Sequence, residues 1–228
     1  AGGAPAAPAV SFADRPAAER AEILARCAAD AFARADISSA ERFYTNALEI
    51  APRGRHADLS NLLALCALSS RPPRPLDALR RLAPMVGQFS PSSRRANLTC
   101  RLTAGRACVM AGDLDGALDH YDRARAEAAD DADDDADAGT ETWLLELRAR
   151  AAEGLALARR LHTRLPRALT LAASGARDLA LEIAAELRRD CIASSIGALV
   201  AVRAHEGVGD LDAAVTEAEA CLREFPRD

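Results

Sequence analysis

The string GDLDGA at Gly112–Ala117 recurs as GDLDAA at Gly209–Ala214, and a related string, ADISSA, occupies Ala35–Ala40. Repetition within one chain is a strong constraint on the fold, because each copy must build the same local structure and pack it against its neighbours. The residues that follow stay in step. After Ala40 come Tyr44, Ala47 and Pro52; after Ala117 come Tyr121 and Ala124; after Ala214 come Ala218, Cys221 and Pro226. Offsets of four and seven residues share one helix face, so each string predicts the start of a helix whose small side chains let a neighbour approach closely. The Asp or Ser ahead of the helix caps its exposed amides. Gly112 and Gly209 permit a tight reversal, and Pro52 and Pro226 end the helix they follow.

A first helix precedes each string. Its small or short residues are Cys27, Ala28 and Ala31 beside Leu24 in the first unit, and Ala104, Gly105 and Cys108 in the second. In the third they are Ala198, Ala201, Val202 and His205. Composition agrees with paired helices. Hydrophobic residues make up 50% of the 228 residues and aromatics only 4%, and alanine, the best helix former, is abundant, which argues against an all-β fold. Residues 1–15, rich in Gly, Ala and Pro, read as a flexible lead-in. Residues 16–129 and 142–228 read as helices of 12–20 residues with short breaks, separated by an acidic loop at 130–141.

These units resemble the tetratricopeptide repeat, a helix–turn–helix of about 34 residues with small residues at its crossings. Ala21–Gly54 fits best, Leu98–Asp131 lacks the closing proline, and Ser195–Asp228 lacks the aromatic. The resemblance implies an all-α, right-handed α-solenoid of about five helix pairs that binds other proteins in a concave groove. Degenerate repeats broken by a long loop are also similar to the repeat subunits of the TRAPP vesicle-tethering complex and of the signal recognition particle. Chaperone-binding members of the repeat family clamp a carboxylate with lysine, asparagine and arginine on their first helices. This chain has no lysine, all 29 basic residues being arginine, and presents Ala25 and Ala29 at the matching places.

Charge is distributed unevenly around a net value of −5. Asp130–Glu141 alternates aspartate with alanine, has no apolar face, and reads as a solvated, disordered insertion; its glycine comes too late for a calcium loop. Arg148–Arg167 carries Arg148, Arg150, Arg159, Arg160, Arg164 and Arg167 beside Leu145, Leu147, Leu155, Leu157 and Leu161, which predicts a leucine face in the core and an arginine face in water. Arg148, Arg159 and Arg160 are candidates for docking a partner, as is Trp143, which stands at the junction of loop and helix. The last helix shows apolar residues on two sides, and Leu222 and Phe225 are candidates for a second docking surface.

His56, His120, His162 and His205 share no ligand spacing, and no nucleophile-elbow, phosphate-loop or dinucleotide string is present. The six cysteines form no CxxC pair and read as buried free thiols. The expectation is therefore a non-enzymatic scaffold without cofactor, metal or small-molecule substrate, whose partner is a protein. No apolar run approaches a membrane span, and a cytoplasmic location is expected. Two other readings stand beside it. One is a regulatory repeat module of a bacterial signalling or transcription protein. The other is an RNA-associated scaffold using the arginine helix, against which the negative charge and the scarcity of stacking aromatics weigh.

Overall fold

A computed structural model describes residues 11–86, 94–129 and 138–225, with side chains from residue 142 in the last segment. Among the described residues the structure is all-helical, with no strand. Ten α-helices follow one another: α1 (Ala17–Ala33), α2 (Ile37–Ile50), α3 (His56–Ser69), α4 (Pro75–Val86), α5 (Arg94–Ala111), α6 (Leu114–Ala129), α7 (Ala138–Ala173), α8 (Arg177–Asp190), α9 (Ile196–Gly207) and α10 (Leu211–Glu224). Pro226 and residues 130–137 of the acidic segment lie outside the described residues. Residues 138–141, read from sequence as the end of that loop, form the first turn of α7.

The predicted reversals share one backbone geometry. Ala35, Gly112 and Gly209 all have positive φ, at 61°, 76° and 76°. In each turn the next residue's amide bonds to a carbonyl five residues back: Asp36 to Ala31 at 3.0 Å, Asp113 to Cys108 at 2.9 Å, and Asp210 to His205 at 3.0 Å. This is the closure in which a left-handed residue satisfies the last carbonyls of the preceding helix. The aspartate then caps the following helix. Asp36 accepts from the Ser39 amide at 3.1 Å, Asp113 from Gly116 at 2.9 Å, and Asp210 from Ala213 at 3.2 Å. A fourth copy, not noticed in the sequence, joins α7 to α8: Gly175 has φ 79°, and the Ala176 amide bonds to Leu171 O at 3.0 Å. Alanine replaces the capping aspartate there, which is why the string did not stand out.

Helices contact their neighbours in the chain, and odd-numbered helices also meet the next odd one from α3 to α9. The α3–α4 turn is different. Arg74 N bonds to Ala67 O at 2.9 Å, and the Ser70 hydroxyl lies 2.7 Å from both Ala67 O and Pro72 O, either of which can accept its one hydrogen. The core is divided into clusters. Ala28, Ala31, Tyr44, Leu59 and Leu63 fill it at one end, and Leu102, Leu147, Leu155, Leu161 and Val200 fill its largest part.

Helix α7 corrects two expectations. Its 36 residues pass through Pro166, so one helix stands where the sequence suggested segments of at most 20 residues. An internal proline costs a helix about 3 kcal/mol, but the buried stripe of Leu155, Ala158, Leu161, Ala168 and Ala172 continues on both sides of it and outweighs that penalty. The leucine face is also rotated by one residue at its start. Leu144 is buried and Leu145 exposed, because Leu144 shares the helix face of Leu147, Ala151 and Leu155.

Candidate functional site

The sites begin with the helix crossings. Ala28, Ala40, Ala47, Ala117 and Ala124 are buried, as is Ala214, and Tyr44 is 3% exposed. The fourth turn adds Ala180, Ala184 and Leu187, all buried at the corresponding places. Ala218 and Cys221 are half-buried, and Pro52 and Gly209 are exposed. Tyr121 shows why small residues are needed. Its ring lies between α5 and α7, and a Cβ built on Gly105 would stand 2.8 Å from the ring. One built on Gly154 would overlap the ring outright. Gly154 was missed in the sequence because a glycine inside a leucine- and arginine-rich helix carries no signal until its neighbour is known. Burial pushes the Tyr121 hydroxyl up to about 12.

Among the described residues, four arginines of the helix contact its flanking helices. Arg148 donates to Ala128 O, at the end of α6, at 2.7 Å. Arg159 pairs with Asp122 of α6 at 3.4 Å, and Arg160 with Glu186 and Asp190 of α8 at 3.3 and 3.2 Å. Arg164 also pairs with Glu186. The sequence spacing placed these side chains in water without showing that acidic residues of flanking helices meet them there. Trp143 is half-buried against the core, with the Arg95 guanidinium 5.7 Å from the centre of its ring. That contact ties the start of α7 to α5.

A groove of 920 Å³ runs between the α1–α2 and α3–α4 turns, lined by Phe32, Ile37, Ser38, Ser70 and Arg74. Glu41 spans its wall, pairing with Arg74 and with Arg81, both at 2.6 Å. One carboxylate held by two guanidiniums ties α2 to α4.

The last pair carries the exposed apolar surface. Leu199 of α9 and Leu211, Val215 and Leu222 of α10 are each at least half exposed. Phe225 is half-buried and turns elsewhere, into a pocket of 460 Å³ with Pro72, Leu76 and Ile192. Of the two C-terminal docking candidates, Leu222 thus stands on the exposed face, while Phe225 lines a pocket shared with the α3–α4 turn.

The cysteines divide. Cys66, Cys100, Cys108 and Cys191 are buried, Cys221 is half-buried and Cys27 is exposed, and all six are free thiols. Cys27 departs from the expectation because it sits one position off the Ala21–Ala28–Ala31 face of α1. Burial pushes Cys66 and Cys191 up to about 11 and Cys100 and Cys108 to about 12, which disfavours the nucleophilic thiolate. Half-burial lowers the His120 pKa, favouring neutral imidazole. Among the described residues no three His, Cys, Asp or Glu side chains are placed to hold a metal ion, and no helix is long and apolar enough to cross a membrane. No family model matches the sequence, and no curated protein matches it.

Proposed function

We propose that the chain is a helical-repeat scaffold that binds protein: a right-handed solenoid of five helix pairs, similar to tetratricopeptide repeats, serving as a subunit of a larger assembly. The observation that carries this reading is the turn built four times, with a left-handed residue, the same backbone closure and a buried alanine four residues after the capping position. A chain that stacks copies of one supersecondary unit presents long, continuous faces, which suit it to holding other proteins. Arg159, Arg160 and Arg164 of α7 are engaged with Asp122, Glu186 and Asp190, which leaves fewer of the helix's arginines for a nucleic acid and supports protein over RNA as the partner. Vesicle tethering, protein targeting and bacterial regulation are the settings in which such scaffolds work, and the scaffold reading is common to all three.

The test is mild cross-linking in the native cell, followed by purification of the tagged full chain. The scaffold reading expects one or more proteins in stoichiometric, repeatable amounts. A chain that purifies alone, or only with RNA that nuclease removes, contradicts it.

A further inference from the structure

The two GDLDxA strings allow a direct comparison of a covered helix pair with an open one. Aligning the strings sets α5 and α6 on α9 and α10. In the internal pair, α7 lies antiparallel across α6 and also touches α5. Under it Leu102 and Leu114 are each 5% exposed, and Leu118 packs partly buried against the core. Their counterparts Leu199, Leu211 and Val215 are 50%, 64% and 56% exposed. The same three aliphatic positions are thus retained, and no described helix lies over them. Leu222 stands where α6 has the exposed Arg125 and lengthens the apolar stripe by a turn.

The flanking charge is retained as well. Asp115 and Asp122 of α6 meet His162 and Arg159 of α7, at 3.1 and 3.4 Å. Their counterparts on α10, Asp212 and Glu219, are again acidic and exposed, and their carboxylates have no ion-pair partner among the described residues. Glu224 repeats Glu127, which pairs with Arg101 at 2.7 Å, but the counterpart of Arg101 is Ala198. The crossing itself is altered in a compensating way. Tyr121 against Gly105 becomes Ala218 against Val202. Tyr121 leaves room only for a glycine, Gly154, on the covering helix; the smaller Ala218 brings no ring to the crossing, so a covering helix there can carry a large side chain where α7 has Gly154.

We propose that the α9–α10 face docks an amphipathic helix of a partner protein that has arginine or lysine on its flanks and a large aliphatic residue at the crossing. This rests on the scaffold reading and names the chemistry of one partner. A second copy of the chain fits less well. Two α10 helices would oppose their own carboxylates, and α1, at the other end of the stack, has none of the exposed large hydrophobic residues that a head-to-tail contact would bury.

The probe is a synthetic peptide of residues 142–165 carrying Gly154→Leu, titrated into the full chain and followed by calorimetry. Leucine at that position cannot be accommodated against Tyr121, so the peptide cannot replace α7. Saturable one-to-one binding is expected. The same peptide with its native Gly154 should bind at least about tenfold more weakly, having left the groove unfilled. Val215→Glu in the full chain should abolish binding. Asp212→Arg with Glu219→Arg should weaken it by at least about tenfold and flatten its salt dependence. Both sets of changes lie on exposed positions, so circular dichroism should show the fold intact.

Absence of saturable binding overturns the proposal, and so does binding that ignores Val215→Glu. A chain that self-associates until Val215→Glu disperses it assigns the face to a second copy and also overturns it. Peptide failure together with a stable co-purifying protein removes this face and leaves the scaffold reading. Absence of any co-purifying protein removes the scaffold reading itself.

Discussion

The α5–α6 and α9–α10 pairs carry nearly the same six residues at their turns and share a left-handed glycine, a capping aspartate and a buried alanine, yet α7 covers one and no described helix lies over the other. The string therefore specifies the reversal and the crossing within a pair. It does not specify what lies over the pair. That is decided by the residues between the small ones: a tyrosine keyed between two glycines in the middle of the chain, and alanine against valine at the end. Local rules of capping and close approach are repeated faithfully, while the cover is set by a distant helix.

The comparison can be broken most sharply at the tyrosine. Tyr121→Ala should cost about 3–5 kcal/mol, because it empties a buried site between three helices, whereas Ala218→Gly should cost only the helix penalty of about 1 kcal/mol. Denaturant unfolding of the two variants measures the difference, and equal losses would show that the pairs are packed alike.

Overpacking the crossings gives the next effect. Ala117→Leu should cost about 1–3 kcal/mol, since its site is closed by α7 on one side. Ala214→Leu should cost less, because the open pair can move to admit it. Thermal melts of both variants test the order. A melt unchanged by Ala117→Leu would break the repeat register itself.

The glycines sharpen the comparison further. Both sit at φ 76°, so Gly112→Ala and Gly209→Ala share a strain of about 1–2 kcal/mol. Beyond that strain a Cβ at Gly209 meets nothing within 4 Å, whereas at Gly112 it runs into Ser194 in the α8–α9 turn. Gly112→Ala should therefore lose more stability than Gly209→Ala, and adding Ser194→Gly should bring the two together.

The smallest effect is the pH dependence of the first cap. Hydrogen bonds from Ser39, side chain and backbone, hold the Asp36 carboxyl below its ordinary value of 3.8. A lowered folded-state pKa means that the ionised cap stabilises above that ordinary value and that this stability is lost as pH falls through the folded value. The melting difference between the native chain and Asp36→Ala should thus be present at neutral pH and fade in strong acid. A constant difference would show that the cap acts without its charge.

Much of the pairing was legible in the sequence, because caps, left-handed positions and small residues at offsets of four and seven are local. Ala40, Ala117 and Ala214 are buried where the spacing put them. What the sequence hid was set by distance. The fourth turn lacks its aspartate, and α7 runs through Pro166 because its buried stripe continues beyond it. Leu145 and Leu144 could be told apart only once the packing face was known. Gly154 against Tyr121, the two arginines on Glu41 and the pocket that Phe225 shares with the α3–α4 turn all join residues far apart in the chain.

The central claim is that α9–α10 is an open copy of the covered α5–α6 pair. Hydroxyl-radical footprinting of the full chain, read by mass spectrometry at matched aliphatic positions, addresses it directly. Leu199, Leu211 and Val215 should be labelled much faster than Leu102, Leu114 and Leu118, and the Gly154→Leu peptide should bring their rates down toward those of the internal pair. Equal protection of the two sets in the free chain would contradict the claim.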